Sequence, residues 1–415
     1  MTVRVKVASS AKELEDVFWV RHEVYATEEG YFQGAKDDKQ MIVDEFDALP
    51  MVANIIAYCN DEPVATLRIN LDSGQGLPPE EYYDFSAYRQ RIAREWFSEH
   101  GTQARFGSAG MLAIRKPWRH RRDVIRAMFK MGAGIGHAWE GTHIIASINA
   151  KTAEMYKRIG FEALGEQQWV VEIGEYILPM ASTFRAFYYW AFGDLLENNS
   201  TFLNLFSSRF QRLLLGPDDI IFRENEQATE AYVIDSGLVR IFRTGSGGNV
   251  LTLGTLGRGE LFGELSLIDT KPRSASAASI SNSELIVLDR EDFISELQKN
   301  PARTHEILQI FAERLRRADE LAVVLANGSP VIKMEYALND LRRSAITDGK
   351  RPSTSIARIS PLEVARNAGI DEADVREFLN RLMQQGVIEY NEHQIRFMDM
   401  SDAPSASDEL AEHHS

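Results

Sequence analysis

An arginine and a glutamate spaced along one turn-rich run are the strongest chemical signal in the chain. The run is FGELSLIDTKPRSAS, from Phe262 to Ser276. Glu264 and Leu265 follow Gly263, and Arg273 comes after Pro272 with Ser274 and Ala275 behind it. A guanidinium is always charged and offers a planar fork of donors to a phosphate-like anion. Small residues beside it let backbone N–H groups approach the same anion, and a carboxylate accepts from a hydroxyl. The first part of the chain also holds charged and phenolic residues, among them Arg21, Tyr25, Tyr31, Asp44, Asp47 and Arg68. There Arg21 or Arg68 suits a carboxylate, and Asp44 or Asp47 suits an ammonium group. The basic run Arg119, His120, Arg121, Arg122 suits phosphate or an acidic protein surface.

The elements that position these groups fall into distinct stretches. With 415 residues, 44% of them hydrophobic and 26% charged, the chain has room for two to four domains. A net charge of −15 excludes bulk attraction to DNA or anionic lipid, so any anion site must be built locally. Cys59 is the one cysteine, which excludes an intramolecular disulfide and leaves no cysteine-based metal site; no metal is expected. Met1 to Ser10 is too polar for a signal peptide, and no apolar run approaches the roughly 18 residues of a membrane span. A cytoplasmic protein is expected.

Short alternating runs between Asp219 and Asp289, punctuated at 235–237, 245–249 and 257–259, predict a small β-roll or jelly roll. From Pro301 the spacing turns helical, with Ile307, Leu308, Phe311, Leu315, Leu321 and Val324 on one stripe. Beyond Val331, Ser360 with Glu363 predicts a capping box, Gly369 a turn, Asp371 a second cap and Gly386 a stop, before two short strands. Phe262 to Ser276 resembles the phosphate-binding cassette of the cyclic nucleotide-binding domains. The long helix and final module resemble the dimerisation helix and winged helix-turn-helix of the cAMP receptor proteins. The resemblance implies cAMP or cGMP as allosteric ligand, held by Gly263, Glu264, Leu265, Arg273, Ser274 and Ala275, with Glu264 on the ribose 2′-OH; it also implies a homodimer. One departure counts against DNA as a partner. The helix opened by Asp371 carries Glu372, Asp374 and Glu377 in its first turns, with Arg376 alone among them, where base-reading helices offer Arg, Lys, Asn or Gln.

The N-terminal half alternates strands and helices. VRVKV is a strand, and Ser10 with Glu13 opens a helix running toward Tyr31. Met51 to Asp72 is a hairpin turning at Asn60–Pro63, and Arg119 to Gly141 is a long helix between strands. The order resembles the GNAT acyltransferases, with the clearest local match at NAKTAEMYKRIGF, Asn149 to Phe161. That match implies a tyrosine acid at Tyr156, protonating a departing thiolate. RHEVYATEEGYF, DEFD and VATLRIN are similar to the acyl-homoserine-lactone and N-acyl amino acid synthases. The likeness implies catalytic Asp44 and Asp47 beside an amino substrate bound by Arg21, Tyr25, Tyr31 and Arg68. The basic run would hold the donor, acyl-coenzyme A or acyl-carrier protein, although the family's Gly-rich turn is absent there. Ser108 and Met111 stand where the synthases carry a glutamate and an arginine. The base is left open among Glu23, Glu28, Asp44, His120 and water.

The expected fold class is therefore α+β multidomain. It comprises a GNAT-like α/β domain at 1–185, an aromatic connecting segment at 186–210, a cyclic nucleotide-binding β-roll at 211–300, a long helix at 301–328, a winged helix-turn-helix at 329–400 and a disordered tail at 401–415. The aromatic segment suits a buried connecting helix, an acyl-chain lining or a membrane-surface contact. Three functions fit. The favoured one is a nucleotide-regulated N-acyltransferase whose acceptor is an amino acid, small amine or protein lysine. The others are a transcription regulator with a GNAT-like sensor and a non-catalytic ligand-binding scaffold.

Overall fold

The computed structural model describes residues 1–31, 40–171, 173–197, 211–245, 250–299, 301–349 and 351–398. The expected tail at 401–415, the second half of the aromatic segment and most of the 245–249 turn lie outside them. The chain divides into two compact units, Met1–Leu214 and Leu215–Ser415.

The first unit is a twisted sheet flanked by helices. Its elements are β1 (Val3–Val7), α1 (Ala11–His22), β2 (Val52–Cys59), β3 (Glu62–Leu71), α2 (Ser86–His100), β4 (Phe106–Ile114) and α3 (Arg122–Ala138). Next come β5 (His143–Asn149), α4 (Ala153–Arg158), β6 (Glu162–Ala163), β7 (Gln168–Val170), β8 (Glu175–Thr183), α5 (Phe184–Glu197) and β9 (Gln211–Leu215). Strand order is β9-β1-β2-β3-β4-β5-β8-β6, with β7 beside β8. Ser10 and Glu13 form the expected reciprocal cap of α1. That helix gives way to a π-helical turn over Glu23–Glu28. The β2–β3 turn is tighter than the sequence suggests. Asn60 and Asp61 take φ of 48° and 65°, the left-handed pair of a two-residue hairpin, so Glu62 and Pro63 already belong to β3. No apolar stripe announces α2, because none of its side chains is fully buried.

This unit departs from regular packing at two places. The parallel β4–β5 ladder pairs Phe106–Ser108 with His143–Ile145 and stops there. Beyond it β4 bulges: Thr66 pairs with Ala113 and Arg68 with Gly110, leaving Met111 and Leu112 opposite Leu67 alone. Met111 takes a φ of 51°. The other place is the seat of Phe184 at the start of α5. A Cβ on Gly136 of α3 would lie 2.0 Å from that ring, and one on Gly141 would lie 2.5 Å from it. Phe184, Phe187 and Phe192 are buried, so the described part of the aromatic segment packs as a helix within this unit.

In the second unit β11 (Glu230–Ser236) pairs with β14 (Leu261–Phe262) and β16 (Ser283–Asp289). Facing them is a sheet ordered β10-β15-β12-β13, from Ile220–Phe222, Ser276–Ser279, Val239–Thr244 and Val250–Leu256. This is the expected β-roll. Helix α6 (Leu265–Asp269) lies within it, and α7 (Arg290–Lys299) and α8 (Pro301–Asn327) come after it. The single stripe expected on α8 divides. Ile307 is buried and Phe311, Leu321 and Val324 are half-buried, but Leu308 and Leu315 are exposed. The inward line steps by three or four residues, and positions 308 and 315 fall one residue, about a quarter turn, off it.

The last elements are α9 (Pro330–Arg343), β17 (Ile346–Asp348), β18 (Arg351–Ala357), α10 (Pro361–Ala368), α11 (Glu372–Gln384), β19 (Ile388–Tyr390) and β20 (Ile395–Met398). Their core gathers Met334, Leu338, Leu341, Val364, Val375, Phe378, Leu379 and Ile395. Ser360 does cap α10, accepting from the Glu363 N–H at 3.3 Å. The expected return bond from Glu363 is not made. Its carboxylate turns instead to Arg240 on β12, 3.1 Å away, and to Arg366, because charged donors outcompete a backbone N–H.

Candidate functional site

In the roll, Gly263 takes a φ of 76° after β14, a left-handed corner where a side chain would strain. A Cβ there would sit 2.7 Å from a terminal nitrogen of Arg273. This corner sends Glu264 inward, 1% exposed, and Arg273 returns beside it, 5% exposed. The Arg273 terminal nitrogens donate to the carbonyls of Gly263 and Glu230, each at 2.6 Å. Its guanidinium lies 4.1 Å from the centre of the Phe222 ring. Burial pushes the Arg273 pKa down. Glu264 Oε1 accepts from Arg314 of α8 at 2.6 Å. Among the described residues one buried polar atom of each lacks a partner: Arg273 Nε, a donor, and Glu264 Oε2, an acceptor. That pair fits one phosphate oxygen and one ribose hydroxyl, so the residues present suit a cyclic nucleotide. Ala275 is buried beside them, while Leu265 and Ser274 are exposed. Arg314 escaped notice in the sequence because helical spacing alone says nothing of an ion pair across the roll.

The first unit carries a cavity of about 450 Å³ where β4 and β5 part. Tyr25, Tyr31, Asp44, Arg68, Arg119 and Tyr156 all line it, though they come from five separate stretches of chain. Arg68, 1% exposed, grips both Asp44 oxygens, at 2.5 and 2.9 Å. Burial opposes its charge, but Asp44 and Asp47 outweigh that and raise its pKa. Tyr25 donates to the Leu112 carbonyl at 3.0 Å, tying the π-helical turn to the bulge. Burial raises the pKa of Tyr25 and of Tyr156, so both hydroxyls keep their protons. Tyr156 is wedged edge-on against Phe129 and Phe161.

Arg21 and Asp47 do not line this cavity. They form a buried cluster behind it. Asp47 lies 2.7 Å from Arg21 and 3.1 Å from Arg68, and its side chain is 3% exposed. Burial raises the Asp47 pKa, but the arginines outweigh this and hold it below the ordinary range. Arg21 also donates to Asn54 at 2.5 Å. Of the basic run only Arg119 reaches the cavity, and Glu28 and Glu29 bind it. Arg121 pairs with Asp123 at 2.7 Å, while His120 and Arg122 are exposed. Ser108 and Met111 line the cavity, so this wall offers a hydroxyl and a thioether where the synthases place charges. Glu81 and Glu175 were not anticipated; neither belongs to a motif, and only the fold brings them here.

Residues 16–183 match the family model described as N-acyl amino acid synthase FeeM. Residues 212–300 match that of the cyclic nucleotide-binding domain. The cyclic AMP receptor protein of Thermus thermophilus is 36% identical over 186 residues, 45% of this chain and 83% of its own. The chain belongs to the cyclic AMP receptor protein family. It also carries a FeeM-type synthase domain ahead of the nucleotide-binding domain. A CRP-like cAMP-activated global transcriptional regulator of Mycobacterium tuberculosis is 34% identical over 99 residues, 24% of this chain and 44% of that one. Among solved structures, FeeM, an N-acyl amino acid synthase from uncultured soil microbes, is 16% identical with a TM-score of 0.35, covering 45% of this chain and 93% of that one. Among the described residues no helix is long and apolar enough to cross a membrane.

Proposed function

We propose that this receptor-family chain is an N-acyltransferase of the GNAT superfamily, moving an acyl group from a thioester donor to the amine of an amino acid, under the control of cAMP or cGMP. The observation that carries this is the convergence of Arg68–Asp44, Tyr156 and Arg119 on one cavity at the parted β4–β5 strands. Asp44, held at both oxygens by the Arg68 fork but with a quarter of its side chain exposed, has lone pairs left to accept from an ammonium group. Tyr156, kept protonated by burial, supplies the proton a departing thiolate needs. The apolar β4 wall accommodates the acyl chain. Exposed His120 and Arg122, near the start of α3, suit the phosphates of coenzyme A or the acidic surface of an acyl-carrier protein.

On this reading Glu264 and Arg273 hold the nucleotide. Leu308, Leu315 and Val323, between 59% and 66% exposed on α8, form the contact face of a homodimer. The final module is a winged helix turned away from DNA reading. Arg376, the lone base on the first turns of α11, is already bound by Glu372 and Glu392.

The test measures amide formation from acyl-coenzyme A and acyl-carrier donors against amino acids, small amines and a lysine peptide, with and without each nucleotide. An amino acid product is expected. Nucleotide should change the rate by about 5- to 150-fold, the usual span of allosteric coupling. Arg273→Ala should lose roughly 2–5 kcal/mol of nucleotide affinity and with it the response. Equal nucleotide affinity in wild type and variant would remove the assignment, and no amide from any pairing would remove the enzyme.

A further inference from the structure

Four carboxylates line the cavity of the first unit: Glu29, Asp44, Glu81 and Glu175. Three are already committed to cations. Glu29 lies 2.6 Å from Arg119, Asp44 2.5 Å from Arg68 and Glu175 2.5 Å from Lys151. Among the described residues the Glu81 carboxylate has no ion-pair or hydrogen-bond partner. Resting on the acyl-transfer reading of this cavity, we propose that Glu81 is the general base that deprotonates the acceptor amine.

The turn that carries it is well fixed. Glu81 ends the turn Pro78–Glu81. The Pro79 carbonyl accepts from Ser147 on β5 at 3.1 Å, and Glu80 accepts from the Leu77 N–H at 2.8 Å and from Arg89 at 2.8 Å. The neighbouring charges suit a base. Partial burial first, then the negative charges of Asp44 and Glu45, raise the Glu81 pKa against the opposing pull of Arg68. The hydroxyls of Tyr25, Tyr31 and Tyr156 are all shifted upward and stay neutral. Glu81 is itself exposed, so it can pass its proton to water.

The proton count closes. An ammonium acceptor must lose two protons to become an amide nitrogen. Glu81 takes the first and releases it to solvent. The amine then attacks the thioester carbonyl carbon, the C–N bond forms and the C–S bond breaks. The second proton reaches the thiolate through Tyr156, which gives one and receives one.

The test compares wild type, Glu81→Gln and Glu81→Asp in steady-state kinetics from pH 5 to 9. Binding of a thioether analogue of whichever donor wild type turns over is measured in parallel. Loss of a general base predicts a fall in kcat of about 10²- to 10⁴-fold in Glu81→Gln. Analogue binding should be unchanged, the acid limb of the kcat/KM profile should vanish, and Glu81→Asp should recover part of the rate. A Glu81→Gln enzyme within tenfold of wild type and retaining the acid limb overturns the assignment. So does loss of analogue binding in step with rate, which would make Glu81 structural. If wild type itself forms no amide, the acyl-transfer reading fails, and the base assignment with it.

Discussion

Replacing Asp47 with asparagine should cost the first unit about 3–5 kcal/mol, the usual penalty for stranding a buried charge. The size comes from the surroundings. Arg21 is 0% exposed and Arg68 1%, and Asp47 sits 2.7 Å from one and 3.1 Å from the other. Without its charge, two buried guanidiniums face each other with Asp44 as the remaining anion, and Asp44 is engaged at both oxygens by Arg68. Against a total stability of about 5–15 kcal/mol for a typical domain, the loss should be obvious. The assay is convenient because all six tryptophans, from Trp19 to Trp190, lie in the first unit. Urea unfolding followed by tryptophan fluorescence therefore reports that unit alone. The pH dependence carries a sign. The folded Asp47 pKa lies below the ordinary carboxylate value. Its stabilisation is thus complete above an unfolded pKa of about 3.9 and is lost as pH falls through the lower folded value. Wild type and Asp47→Asn should converge in strongly acidic solution. A neutral double replacement, Arg21→Met with Asp47→Leu, should recover much of the loss. A cost under about 1 kcal/mol at pH 7 would refute the account of a buried structural cluster and return Asp47 to consideration as a reacting group.

The packing and the charge pattern set two further outcomes. Gly136→Ala should destabilise the first unit by about 1–3 kcal/mol by the same fluorescence assay, despite alanine's better helix propensity, because the added carbon meets Phe184 at 2.0 Å. Random duplex DNA should bind weakly, with a shallow salt slope in a filter or anisotropy titration. A tight, steeply salt-dependent complex formed on adding cAMP would favour the transcription-regulator reading instead.

The sequence by itself carried the residues proposed to hold the nucleotide. Gly263, Glu264, Arg273 and Ala275 fall in one short run, and a run that must fold one tight corner around one anion writes its function locally. Most of the order of strands and helices, α2 excepted, was legible too, because a period of two or of three to four residues is set by backbone geometry. Tertiary structure decided which charged residues share a space. Asp44 and Asp47 are near neighbours in sequence and look interchangeable. One borders the cavity and the other is sealed behind it, because Asp44 is the extended cap of the short turn Glu45–Ala48, with φ −123° and ψ 174°, while Asp47 lies inside that turn. Glu81 belongs to no motif, and α2 shows no stripe. Their places depend on strands from distant parts of the chain: Ser147 of β5 holds the turn that carries Glu81, and α2 packs over Phe106 and Ile145. Such placements are fixed by long-range packing, and no local pattern of residue types records them.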